Sequence, residues 1–126
     1  MKYIPHIAGA LLGLLFIFSA SVVLLGKAPQ PEIPKDTPVW HFMQAFIPTG
    51  YMTFVKVIEL IGGILVAIPK TRNFGLLALG PVIVNILAFH LFVAKDGIFQ
   101  PMLLAIIALP LIILWFERKA FAGLLK

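Results

Sequence analysis

The chain has 126 residues, 61% of them hydrophobic and only 12% charged, and its mean hydropathy is +1.06. A soluble domain of this length would be far more polar, so the composition indicates one integral membrane domain over residues 1–126. The absence of cysteine excludes disulfides, thiolate metal sites and dithiol redox chemistry. The net charge of +5 comes from basic residues beside apolar segments, which indicates membrane orientation and not nucleic-acid binding.

The first apolar segment, residues 4–25, carries no Asp, Glu, Lys or Arg and is long enough to span a bilayer. The "SAS" at residues 19–21 imitates a signal-peptide cleavage site, but the apolar run continues past it and favours a retained helix. Gly9 and Gly13 form a G-x-x-x-G pattern, which lets helices approach closely. Packing inside the chain is the favoured use of this pattern over dimerisation.

A long connection follows at residues 26–50 and begins with a Pro-rich stretch, which predicts an extended, irregular path. Its second part, "VWHFMQAFIPTG", predicts a short helix over residues 39–47, capped by Asp36 or Thr37 with Pro38 in the first turn. Such a helix is too short to cross a bilayer. Its aromatic residues predict an interfacial or re-entrant helix that covers the mouth of a pocket.

Three further spans are predicted at residues 51–68, 74–94 and 98–116, which gives an all-α, four-helix membrane bundle. The short linkers "PKTRN" and "KDG" make these three helices antiparallel neighbours. More basic residues flank the side that holds both termini, so both termini are predicted to be cytoplasmic. The residues counted on that side are Lys2, Lys70, Arg72, Arg118, Lys119 and Lys126, against Lys27, Lys35 and Lys95 on the other side.

Nearly every polar side chain within the predicted spans falls in the outer half of the bilayer. At about 1.5 Å of rise per residue, Glu59 and Asn85 lie about 12–13 Å below the outer face, and Lys56, His90 and Ser19 about 6–9 Å below it. This arrangement predicts an outward-opening polar pocket with an apolar floor. A continuous pore or proton wire would need ionisable groups in the inner half as well.

Glu59 is the residue whose position most needs an explanation, because a lone charge at this depth costs several kcal/mol. It can pair with Lys56 three residues earlier, accept a hydrogen bond from Asn85, or be protonated. Asn85 and His90 are about 140° apart on an ideal helix, so we expect them to face different neighbouring helices. Direct or one-water contact is expected between Glu59 and Asn85. A purely structural role as interhelical glue stays open beside a binding role.

The stretches "FMQAFIPTGYMTFVKVIELIGGILV" and "GPVIVNILAFHLFV" resemble segments of DoxX-like membrane proteins, a family distantly related to a nicotinic receptor assembly chaperone. The resemblance covers about residues 13–121 and supports Glu59, Gly63, Asn85 and His90. It implies a four-helix membrane fold and often an oxidoreductase label, but it does not specify a reaction.

Three functions fit these observations, in decreasing order. The first is a non-catalytic helper or assembly factor of the bacterial inner membrane, whose pocket binds a lipid-like ligand, a small amphipathic molecule or the transmembrane helix of a partner protein. Its candidate ligand-binding residues are Glu59, Asn85, His90, Lys56 and Ser19, with no metal and no resident cofactor. The second is a membrane subunit of a quinone-linked oxidoreductase, in which quinone is the cofactor. The third is a transporter, which the apolar inner half and the lack of inverted repeats disfavour. Membrane lipids are partners in each case, and a homo-oligomer stays open.

Overall fold

A computed structural model describes residues 3–27, 32–97 and 99–123 of the chain. Lys2 and Lys126, which contribute to the predicted orientation, lie outside the described residues, as does Ile98 at the predicted start of the fourth span. All regular structure within the described ranges is helical. The α-helices are α1 (Ile4–Leu24), α2 (Pro38–Phe46), α3 (Tyr51–Ala67), α4 (Arg72–Ala88), α5 (Pro101–Phe116) and α6 (Arg118–Ala122).

Within the described residues, two helices are long and apolar enough to cross a membrane by length and composition, Ile4–Leu24 and Pro69–Val93. The second of these consists of a 3₁₀ turn, α4 and a π-helical turn in direct succession. Helices α2 and α3 meet at an angle of 80° and count as a third candidate if they are taken as one broken span. Helix α5 is also apolar, but it is only 16 residues long.

Among the four long helices, α3 lies between α1 and α4. Helix α5 packs mainly on α1 and touches α4 only lightly. Glycines set the two closest helix crossings. A Cβ on Gly13 would lie 2.6 Å from the carbonyl oxygen of Gly63, and one on Gly75 would lie 2.9 Å from the carbonyl oxygen of Gly62. The G-x-x-x-G pattern therefore serves packing inside the chain, because Gly9 and Gly13 both face α3 or its continuation into α4.

Helix α2 begins where the sequence predicted. The hydroxyl oxygen of Thr37 accepts a hydrogen bond from the backbone N–H of Trp40 at 3.3 Å, and Pro38 occupies the first turn. Thr37 rather than Asp36 is thus the capping residue, while Asp36 adopts a left-handed φ of 65° in the turn before it. The helix ends ahead of Gly50, whose φ of 82° allows the sharp bend into α3.

Candidate functional site

One cavity of about 760 Å³ lies among α1, α3, α4 and α5, with α2 along its edge. Its wall is mostly aromatic and aliphatic, which is the usual character of a small-molecule site of this size. Six polar or ionisable side chains line it: Ser19, Tyr51, Lys56, Glu59, Asn85 and His90. All five residues that the sequence selected as candidate ligand-binding residues therefore face the same space. Whether they bind a ligand stays a prediction.

Glu59 and Lys56 form an ion pair on the inward face of α3. The Lys56 Nζ lies 3.3 Å from Glu59 Oε2 and 3.4 Å from Oε1. The Glu59 side chain is 3% exposed and that of Lys56 17% exposed, so Lys56 bends down to its partner instead of extending outward. The i,i+3 spacing places both groups on one helix face and makes this geometry available. The charge of Glu59 is thereby compensated within its own helix.

Asn85 does not make the direct contact with Glu59 that helix depth suggested. Its side-chain Nδ2 donates a hydrogen bond to the carbonyl oxygen of Pro81, four residues earlier in α4, at 2.8 Å. Asn side chains often satisfy themselves on a nearby backbone carbonyl in this way. Equal depth along two helices fixes height but not the direction of a side chain. Asn85 and Glu59 therefore share the cavity without a direct hydrogen bond between them.

A π-helical turn, Phe89–Val93, follows α4, and Asn85 and His90 line one cavity although they are five residues apart. The backbone N–H of Ala94 donates to the carbonyl oxygen of Phe89 at 2.9 Å, an i→i+5 bond. The expectation that these two residues face different neighbouring helices stays a prediction, because several helices bound the cavity that both residues line.

His90 is fixed by the turn that follows the π-helix. Its Nδ1 donates to Asp96 Oδ1 at 2.7 Å, so this nitrogen carries the proton. The hydrogen bond from His90 holds the pKa of the Asp96 carboxyl below its usual value. The His90 side chain is 22% exposed and that of Asp96 48% exposed, which places the pair at the rim of the cavity.

Helix α2 docks on this rim with one face. Phe42, Met43 and Phe46 line the cavity, while Gln44 and Ala45 are exposed. The ring centroid of Phe42 lies 4.7 Å from that of Phe89 in the π turn, and 4.0 Å from that of Phe46. The short helix predicted over residues 39–47 therefore exists and packs with its apolar side on the bundle.

Ser19 enters the cavity from α1, one turn after Leu15 and Phe16, and is half-buried. It is the only polar lining residue that α1 contributes. The other polar lining residues come from α3, α4 and the π-helical turn after α4. Ser19 thus completes a ring of polar groups drawn from three helices.

Sequence reasoning missed a second polar cluster at the opposite end of the bundle. Arg72 is 3% exposed, and its Nε donates to the carbonyl oxygen of Val66 at 2.9 Å. Its Nη1 donates to His6 Nδ1 at 3.2 Å, and Nη2 donates to the carbonyl oxygen of Ala67 at 3.4 Å. The sequence counted Arg72 only as a flanking charge, although Gly9, over which the guanidinium lies, is the signal that could have located it.

The Arg72 cluster has a structural role that its contacts define. The guanidinium donates hydrogen bonds to carbonyl groups at the C-terminal end of α3, which have no partner inside the helix. It thereby joins that end of α3 to α1 and α4. The cavity lies at the other end of α3. In the part of the chain that the structure describes, His, Asp and Glu side chains form no group of three that could hold a metal ion.

Comparison with known proteins gives one distant similarity. The chain is 29% identical over 118 residues to the uncharacterized protein YwoB of Bacillus subtilis (strain 168), an alignment that covers 88% of this chain and 74% of YwoB. No protein-family model matches the chain, and no solved structure matches it. The resemblance to DoxX-like proteins accordingly stays a prediction.

Proposed function

We propose that the chain is a four-span protein of the bacterial inner membrane with both termini in the cytoplasm. The two long apolar helices, the bent α2–α3 pair and the apolar α5 support this arrangement. Exposed side chains on these helices are predominantly large and hydrophobic, as lipid contact requires. The cavity then opens in the outer half of the bilayer, with α2 at the interface.

We further propose that the cavity binds a lipid-like or small amphipathic ligand, and that the protein is a non-catalytic helper or assembly factor. The observation that carries this proposal is the convergence of all five candidate residues on one cavity with an aromatic wall. Ionisable groups inside a membrane are expensive and usually mark a functional site. The transmembrane helix of a partner protein is the alternative occupant of the same space.

A quinone-linked oxidoreductase subunit is the second candidate function. The His90–Asp96 hydrogen bond favours it, because a histidine oriented by a carboxylate can exchange a proton with a ligand that is reduced or oxidised. In this case the quinone ring would stack among the aromatic side chains. A partner subunit would supply the electrons.

The test is native mass spectrometry of the full chain purified in a mild detergent, combined with organic extraction of whatever is retained. We expect one amphipathic molecule per chain in the wild type. Ala88→Trp fills the cavity from α4 without removing a polar group and should abolish retention. Glu32→Gln changes an exposed carboxylate outside the cavity to an amide and serves as the control that should keep the molecule.

The outcomes separate the candidates. Loss of the molecule in Ala88→Trp with retention in Glu32→Gln supports a ligand in the cavity, and its chemistry distinguishes a lipid from a quinone. Retention that is equal in the wild type and Ala88→Trp would place the molecule elsewhere and contradict the proposal. A wild type that retains nothing, and whose melting temperature is unmoved by added lipid, would contradict it as well.

A further inference from the structure

We propose that the cavity selects a lipid whose head group is zwitterionic, with a primary ammonium and a phosphodiester. This inference rests on the proposed ligand-binding function and specifies its ligand class. It starts from the Lys56–Glu59 ion pair, which faces the cavity and is nearly excluded from solvent. The ammonium of the lipid would bind Glu59, and its phosphodiester would bind Lys56.

The ion pair has hydrogen-bonding capacity to spare. Its two N···O distances, 3.3 and 3.4 Å, exceed the ~2.7–2.9 Å of a strong charge-assisted hydrogen bond. The Lys56 ammonium has three donors, and the described residues give it Glu59 alone as a partner. The Glu59 carboxylate likewise has acceptor sites that Lys56 leaves unused. Groups with these unmet preferences beside a cavity form a site into which a ligand can insert.

Charge balance decides which ligand fits. Lys56 and Glu59 are the Lys, Arg, Asp and Glu residues among the described cavity-lining side chains, and their charges cancel each other. A ligand with one net charge would satisfy one member of the Lys56–Glu59 pair and leave the other charged and buried, which is strongly unfavourable. A zwitterion bridges both members and leaves neither unpaired. A primary ammonium suits Glu59 better than a quaternary one, because only the former donates hydrogen bonds.

The shape of the site indicates that the ligand carries an apolar chain. Phe92 is 73% exposed and Met102 is 55% exposed, yet both also line the cavity. Phe92 belongs to the π-helical turn after α4 and Met102 to α5, and α4 and α5 contact each other only lightly. The cavity therefore has a lateral opening toward the surrounding apolar phase. A chain can leave through this opening while its head group stays beside Lys56.

Methionines make the wall of the cavity adaptable. Met43, Met52 and Met102, all the methionines of the chain other than Met1, line it. Unbranched thioether side chains repack easily and are common at surfaces that accept ligands of variable shape. Acyl chains differ in length and unsaturation, so such a wall fits them better than a rigid one would. Specificity then falls on the head group.

The experiment titrates the detergent-purified full chain with phosphatidylethanolamine, phosphatidylcholine and phosphatidylglycerol of identical acyl chains, and it reads bound lipid by native mass spectrometry. We expect the wild type to prefer phosphatidylethanolamine to phosphatidylglycerol by about tenfold or more. Glu59→Gln leaves the Lys56 cation alone and should reverse this order in favour of the anionic lipid. Glu32→Gln should keep the wild-type order.

Two additional measurements address a Glu59→Gln variant that does not fold and a ligand that is water-soluble and not a lipid. Lys56→Gln should weaken phosphatidylethanolamine binding by about tenfold yet leave phosphatidylglycerol the poorer ligand, so it tests the idea even if Glu59→Gln fails to fold. Glycerophosphoethanolamine, the head group without chains, should not displace the lipid. Displacement by the soluble head group at equal concentration would identify a water-soluble zwitterion as the ligand and overturn the lipid assignment.

Failure of this inference is distinguishable from failure of the proposed function. If the wild type retains phosphatidylglycerol at least as well as phosphatidylethanolamine, or if Glu59→Gln does not change the order, the head-group assignment is wrong. If Ala88→Trp nevertheless abolishes retention of some other amphipathic molecule, the ligand-binding function stands. If Ala88→Trp and the wild type behave alike toward every lipid, both are wrong.

Discussion

At the scale of single residues, the two members of the ion pair are not equivalent. Glu59 is 3% exposed, and within the described residues its ion-pair partner is Lys56. Lys56 is closer to the outer end of α3, and its long side chain can extend toward the interface when its partner is removed. Removing Lys56 therefore strands a buried charge, whereas removing the charge of Glu59 does not.

We predict that Lys56→Gln lowers the free energy of unfolding by about 3 kcal/mol, while Glu59→Gln changes it by only about 1 kcal/mol in either direction. Thermal or denaturant unfolding in detergent, followed by circular dichroism, measures both. Lys70→Gln, at an exposed position in the 3₁₀ turn before α4, is the control and should have little effect. Equal losses for Lys56→Gln and Glu59→Gln would contradict the asymmetry.

A second prediction concerns the pH dependence of the turn after the π-helix. The hydrogen bond from His90 lowers the pKa of Asp96, so its stabilising contribution is present above the ordinary aspartate value of about 3.9 and is lost as pH falls below it. We expect hydrogen exchange at residues 94–97 to accelerate as pH drops through this range, after correction for the intrinsic rate. Asp96→Asn should remove that acceleration, and its persistence in the variant would refute the assignment.

At the scale of elements, the helix crossings depend on positions where no side chain fits. A Cβ on Gly75 would lie 2.8 Å from Val66 Cα and 2.9 Å from the carbonyl oxygen of Gly62, both of them backbone atoms that cannot rotate away. Gly80, five residues later in the same helix, has open space around its Cα. Helix α4 thus contains both a required glycine and a dispensable one.

We predict that Gly75→Ala destabilises the protein by about 1–3 kcal/mol through overpacking of α3 against α4. Gly80→Ala should cost less than about 1 kcal/mol, because its added Cβ has no atom of another helix within 4 Å. Unfolding midpoints of the two variants, measured side by side, decide the matter. A Gly75→Ala variant as stable as Gly80→Ala would mean that the two helices do not approach as closely as described.

The elements also show what sequence reasoning could reach. Hydropathy placed the apolar helices to within a few residues, and the Thr37–Pro38 signature located α2, because both depend on local chemistry. The partner of Asn85 could not be predicted from depth alone, since its own helix offered a carbonyl. The π turn has no signal in a 3.6-residue period, so it could not be predicted, whereas the cavity shared by Asn85 and His90 follows from the depth of their side chains. Arg72 was misjudged because burial depends on a neighbouring helix that supplies a glycine.

At the scale of the whole molecule, the proposed orientation is directly testable because the chain has no cysteine of its own. We predict that Pro34→Cys, in the connection before α2, reacts with an impermeant maleimide in intact cells, while Ala120→Cys in α6 reacts only after permeabilisation. Both positions are exposed, and neither substitution changes a charge. The reverse labelling pattern would invert the topology, and labelling of both sites in intact cells would rule out the four-span arrangement.

The buried guanidinium of Arg72 has a mechanical consequence for the molecule. It ties together the inner ends of α1, α3 and α4 through His6, Val66 and Ala67, in the same region where glycines bring the backbones into contact. In the part of the chain that the structure describes, α4 and α5 contact each other only lightly. We therefore expect the bundle to be stiff at the Arg72 end, where α1, α3 and α4 form a three-helix joint, and to be more easily deformed at the end that holds the cavity. Any widening of the cavity would then come from displacement of α5 and α2, while the three-helix joint stays still.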